Sequence, residues 1–172
     1  MANTYILISS NVLASSAASV TFSSIPATYT DLVLRVSTRT DAAGATATVA
    51  AQFNGDTTSA NYSETNINSD GATAYSDRTA RGGTWFGITN GNGSTATTFT
   101  SAELYIPSYA ATQKKPTSVI TAYEANSATA YMYAVANLYG ITTAISSINV
   151  YAVAGSNFLT GSSFYLYGIS KS

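Results

Sequence analysis

A pair of carboxylates, one giving a proton and one taking it or attacking, is the only catalytic device this chain could assemble. It contains no histidine and no cysteine. Ser–His–Asp and Cys–His devices need an imidazole to take the nucleophile's proton, so both are excluded. Disulfides and structural zinc of the Cys/His kind go with them. A Ser–Lys pair needs a lysine held beside a serine, and the lysines are Lys114, Lys115 and Lys171. Among the acids, Asp70 and Asp77 share one polar stretch, and Asp41 and Asp56 lie near turns. Aspartate is also a good turn residue, because its side chain bonds the backbone two residues on. The same oxygens suit calcium, but no D-x-D-x-D-G spacing is present. Gly91-x-Gly93-x-x-Ala96 superficially matches a dinucleotide fingerprint, which needs a strand before it and a helix after it. The residues that follow, Thr97 to Thr100, read as strand, so a hairpin turn is expected there. The expectation is a protein that is not an enzyme, with no catalytic residue, no metal and no cofactor.

Tyrosine is the most informative residue type, with 13 copies. Tyr131, Tyr133, Val135, Asn137 and Tyr139 alternate along one strand face, opposite Met132, Ala134, Ala136 and Leu138. Tyr165 and Tyr167 share a face opposite Phe164 and Leu166. One face of each strand reads as core and the other as a Tyr-lined surface; the competing reading buries both. Tyr combines an apolar body with a polar tip, which suits a subunit interface or a surface that stacks on sugar. Tyr131, Tyr133, Tyr139, Tyr165 and Tyr167, with Trp85 beside Phe86, are the interface or glycan-contact candidates. A lone Trp in a strand is also ordinary core packing.

Charge is scarce around these residues. Asp, Glu, Lys and Arg make up 9% of the chain, against roughly 25% in an ordinary soluble protein. Few groups keep free copies apart, which favours a life packed in an assembly. Disorder is disfavoured by the aromatic content and the net charge of −1. The seven basic residues are scattered, whereas nucleic-acid binders cluster them, so no nucleic acid is expected. The first residues lack a basic, then apolar, secretory pattern. No stretch approaches the roughly 20 apolar residues of a spanning helix, so no membrane is expected.

The elements that must position these side chains read as strands. Leu32, Leu34 and Val36 fall on one face, while Asp31, Arg35 and Ser37 share the other with Val33. Strands are expected at 5–8, 19–22, 30–38, 46–53, 84–89, 98–106, 118–124, 131–139, 146–153 and 162–168. Asn54-Gly55 suits a turn with positive φ. The polar stretch 55–83 is expected as a long loop hiding a short strand near 61–67, and 108–116 as a connection carrying the paired lysines. Helix amounts to a turn or two. The fold expected across 1–172 is all-β: a single-domain, jelly-roll-like antiparallel β-sandwich.

Certain runs resemble a known family. Tyr5-Ile6-Leu7-Ile8, then Ala18 to Pro26, then Tyr29-Thr30-Asp31-Leu32-Val33-Leu34-Arg35 resemble a recurrent opening in virion proteins of tailed bacteriophages. Phe53-Asn54-Gly55-Asp56 and Tyr62 continue it. Ile145 to Val150, Phe158 and Gly161 to Ile169 are similar to the closing strands of the same jelly-roll module. The resemblance implies a virion structural protein of capsid-decoration, head-fibre or tail-appendage type, made in the host cytoplasm and carried on the outer surface of the particle. With the strand pattern starting in the first few residues, a capsid decoration (cement) protein is expected: a homotrimer bound to the major capsid protein or another virion protein. The alternative is a head or tail appendage that binds a host-surface glycan or receptor.

Overall fold

A computed structural model describes residues 4–127 and 130–170; Lys171, noted above, lies outside them. Twelve strands are present among the described residues. They are β1 (Tyr5–Val12), β2 (Ser19–Phe22), β3 (Asp31–Thr38), β4 (Thr46–Phe53), β5 (Tyr62–Ser69) and β6 (Ala74–Thr79). Then follow β7 (Thr84–Asn90), β8 (Thr100–Ile106), β9 (Lys115–Tyr123), β10 (Tyr131–Tyr139), β11 (Ile148–Ala152) and β12 (Ser163–Ile169). Among the described residues, helix is confined to two 3₁₀ turns of three residues each. The strands form two antiparallel sheets packed as a sandwich: eight strands in the order β1-β12-β3-β8-β9-β10-β5-β6, and four in the order β2-β11-β4-β7. The chain is therefore an all-β, jelly-roll-like sandwich.

Period-two patterning builds it. Along β9, buried and exposed residues alternate without a break from Lys115 to Tyr123. The core is where the inner faces meet. Leu32, Leu34, Leu104, Ile106, Val119, Phe164 and Leu166 come from the large sheet, and Val20, Phe22, Val49, Phe53, Ile148 and Val150 from the small one. Each such side chain contributes about 1.5–3 kcal/mol on burial. Val33 breaks the alternation in β3: it faces outward yet is buried. Tyr167 and Tyr105 are its cross-strand partners on the two sides, so their rings flank and cover it.

Three sequence expectations need correction. The stretch 55–83 contains two full strands: β5 pairs with β6 from Glu64 to Ser69. β6 was illegible because every residue but Thr79 is exposed, so neither face carries an apolar signal. The strand expected from Ser118 starts at Lys115 and includes Pro116; pairing with β8 begins only at Ser118, so the proline breaks no bond there. The Gly91–Ala96 loop is not a hairpin, because β7 lies in the small sheet and β8 in the large one. It carries the chain between sheets and packs on the 41–45 loop, with Gly91 N donating to Ala45 O (2.9 Å) and Gly93 N to Gly44 O (3.0 Å). A Cβ on Gly91 would collide with the Gly44 carbonyl oxygen, and one on Gly93 would lie 2.8 Å from Ala45 N. These glycines serve close backbone approach. Gly91→Ala is therefore expected to lower the unfolding free energy by about 1–3 kcal/mol, as overpacking does; an unchanged urea midpoint would show that the two loops can separate freely. Asn54-Gly55 behaves as expected, with φ of 54° and 70° and Asp56 N donating to Phe53 O at 2.9 Å.

Candidate interaction surface

The structure splits the aromatic candidates. Tyr133, Tyr139 and Trp85 are buried in the core, so as folded they offer no surface to a subunit or a sugar. Tyr139 stacks on Tyr62 with centroids 4.9 Å apart, and Tyr133 meets Trp85 edge-on at 5.3 Å. Tyr131 is half-buried beside them, tilted against Tyr123 and Tyr133. The Tyr face of β10 thus points inward, and the Met132–Ala134–Ala136 face points out. The physical reason is the narrower second sheet. Its edge strand β7 packs on β10 and β5, and large rings with a polar tip fill the space between them.

Tyr165 and Tyr167 do lie on the outer face of the large sheet and are half-buried. Tyr167 sits edge-on to Tyr5 at 6.3 Å. The Arg35 guanidinium lies 5.7 Å from the Tyr5 ring and 5.9 Å from that of Tyr167, and Arg35 Nε donates to Glu103 Oε2 at 2.7 Å. Tyr5, Arg35 and Glu103 were not singled out from sequence. The usable signal was register, because Tyr165, Arg35, Glu103 and Ile120 face one another across four neighbouring strands.

That row extends across the whole sheet: Ser76, Ile67, Ala134, Ile120, Glu103, Arg35, Tyr165 and Ser10. Its one acid and one base neutralise each other. Asp31, at the end of β3, accepts from Tyr105 Oη at 2.9 Å and Ser108 N at 2.8 Å. Ile67, Ile120 and Met132 stand 64%, 49% and 54% exposed on this face. A shallow cleft of about 500 Å³ lies among Ile67, Ala74, Tyr75, Met132 and Ala134.

The two edges of this sheet differ. β6 carries Asp77 and Arg78, and charge on an edge discourages further pairing. β1 has no charged residue, and Tyr5, Leu7 and Val12 are 49%, 51% and 57% exposed. A bulge between Leu7 and Ser9 returns Val12 to the same face as Leu7.

Of the other carboxylates, Asp41, Asp56 and Asp70 brace turns and loops, and Glu64 is buried. Asp41 accepts from Asn157 N and Nδ2 at 2.7 and 2.8 Å, Asp56 from Thr58 N and Asn61 Nδ2 at 2.9 and 2.8 Å, and Asp70 from Thr73 N and Ala72 N at 2.7 and 2.9 Å. These hydrogen bonds hold all three below the ordinary aspartate value of 3.8. Glu64 is buried, and burial pushes it up from 4.5 against the opposing pull of Arg81, with Asp77 reinforcing the rise. No group of three or more Asp, Glu, His or Cys able to hold a metal ion occurs among the described residues. Among them too, no helix is long and apolar enough to cross a membrane.

These shifts set a pH dependence. A lowered pKa contributes stability above the unfolded value, and that contribution is lost as pH falls through the folded value. Asp41, Asp56 and Asp70 therefore make the urea midpoint decline below about pH 4. A raised pKa works the other way: Glu64 favours the fold below 4.5 and loses that contribution as pH rises through its folded value. Glu64→Gln should gain on the wild type in urea titrations as pH is raised past 4.5. A gap that shrinks instead would show that the Arg81 pair outweighs burial.

Compared with known proteins, the chain matches no protein-family model and no curated protein.

Proposed function

We propose that this chain is a non-enzymatic virion structural protein of a tailed bacteriophage: a capsid decoration protein that binds the outer shell as a homotrimer and stabilises it. The observation that carries the assembly role is the outer face of the eight-stranded sheet, broad, exposed and without uncompensated charge along its central row. A face of this kind gains by covering Ile67, Ile120 and Met132, and it has few charges to desolvate. The unguarded β1 edge is offered to a neighbouring copy. The phage assignment rests on the sequence resemblance, whose runs fall on β1, β2, β3, β11 and β12 and on the turn from the end of β4 to the start of β5. The scarcity of usable cations supports a protein partner over nucleic acid, since Arg39 and Lys115 are buried.

A second reading, a head or tail appendage binding a host-surface glycan, is favoured by one cluster. Tyr5 and Tyr167 flank Arg35 on the outer face, with Glu103 bonded to it. Such a group combines stacking surface with hydrogen-bonding heads.

Stripping the protein from purified particles separates the two. A shell that then disrupts at lower temperature supports decoration. An unchanged shell with lost adsorption to host cells overturns it in favour of the appendage. In solution the isolated protein is expected to scatter as a species larger than its 17.8 kDa chain; a monomer at micromolar concentration would remove the trimer.

A further inference from the structure

We propose that the buried polar atoms around Trp85, where β5 and β10 pack against β7, hold ordered water, shut in by Arg81. Glu64 and Asn66 lie on the core face of β5, both buried. Glu64 Oε1 accepts from Arg81 Nε at 2.7 Å, but its buried Oε2 has no protein partner. Asn66 Oδ1 accepts from Asn68 Nδ2 at 2.9 Å, but its buried Nδ2 donates to nothing in the protein. Asn137, the cross-strand partner of Glu64, uses its amide on the backbone of Trp85: Oδ1 accepts from Trp85 N at 3.0 Å and Nδ2 donates to Trp85 O at 3.3 Å. The indole is thereby fixed over β10, with Nε1 buried and unpartnered. The guanidinium that bonds Glu64 also lies 4.8 Å from the indole centroid, so Glu64, Arg81 and Trp85 form one cluster. Two further buried hydroxyls, those of Thr84 and Thr117, have no protein partner. Thr84 precedes Trp85, and Thr117 faces Asn137 across β9.

The chemistry of these atoms selects the occupant. Asn66 Nδ2 and Trp85 Nε1 only donate, ionised Glu64 Oε2 only accepts, and the two threonine hydroxyls do either. An occupant must therefore accept and donate at once. A cation meets two N–H donors and Arg81, and an anion meets Glu64. An apolar side chain would leave every one of these groups unpaired. Water satisfies the set, as it does for buried polar groups with several partners in one place. Arg81 is the one partly exposed member, with a side chain 38% exposed, so it forms the wall on the solvent side.

Trp85 is the only tryptophan, which makes the test direct. In the full-length protein, the indole N–H signal is expected to show a magnetisation-transfer cross-peak to water of the sign given by a long-lived bound molecule. Asn66→Leu removes one donor to that water, and Arg81→Ala removes the wall. Both variants are expected to lose the long-lived signature, the second with faster indole hydrogen exchange. An indole N–H with no water cross-peak in the wild type overturns the proposal, and this arm needs no variant to fold. Unchanged indole exchange in a folded Arg81→Ala variant overturns the closure.

Discussion

Arg39→Ala is expected to destabilise the protein by about 2–5 kcal/mol, because each buried carbonyl left without a donor costs about 1–3 kcal/mol. Arg39 is 7% exposed and reaches the 94–98 segment between β7 and β8. Its Nη1 donates to Thr95 O at 2.8 Å, Thr98 O at 3.1 Å and Ser94 Oγ at 3.2 Å, and its Nη2 to Ser94 O at 3.2 Å. None of these acceptors is a carboxylate. The cation is solvated by loop carbonyls instead, and the loop, lacking regular pairing, is held in shape by the cation. Truncation takes the donor from the Ser94 and Thr98 carbonyls, while Thr95 O keeps Thr98 Oγ1 at 2.7 Å. Arg39→Lys should recover only part of the loss, because a single ammonium cannot present donors along a planar fork. The measurement is urea unfolding of the three proteins. A change below about 1 kcal/mol for the alanine variant would show that water replaces the guanidinium readily.

The same arrangement explains what sequence could and could not say about charge. Arg39 and Lys115 read as two of a few scattered cations. Lys115 is in fact fully buried, with Nζ donating to the carbonyls of Ala111, Gln113 and Thr142. Burial lowers its pKa. Neither role leaves a pattern in one sequence, because the partners are backbone carbonyls, present at every residue. By contrast, β3 was legible because Leu32, Leu34 and Val36 recur at period two on the face turned to the core, with only Val33 interrupting the polar face. The inverted faces of β10 show where periodicity stops being enough. It finds two faces, and only the neighbouring strands decide which is inner. Glu64 and Asn137 stand side by side on the core face because Trp85 on β7, an edge strand of the small sheet, needs a partner for its backbone. A polar inner residue therefore marks the rim of the smaller sheet, a fact of topology that composition cannot hold.

Leu7→Lys combined with Val12→Lys is expected to weaken self-association by about 100-fold or more while leaving the monomer within about 0.5 kcal/mol of wild type. Both side chains are more than half exposed in the single chain, so the fold asks little of them. Covering them against a neighbouring copy is worth about 1.5–3 kcal/mol each, and 1.4 kcal/mol is a factor of ten in affinity. Lysine on a strand edge also adds like-charge repulsion wherever the same edge meets its copy. Tyr5 is left alone, because it packs on Tyr167 and Arg35. The control is Tyr75→Lys on β6, an exposed position on the edge already guarded by Asp77 and Arg78. It adds a lysine to the opposite edge of the same sheet, half the charge of the β1 variant, and should leave the assembled mass unchanged. Light scattering across a dilution series of all three proteins reads the result. If the β1 variant keeps its mass, the open edge is not where copies meet. If both variants dissociate, added charge alone is responsible. Only dissociation confined to β1 ties assembly to the one edge of the sheet that carries no charge to forbid it.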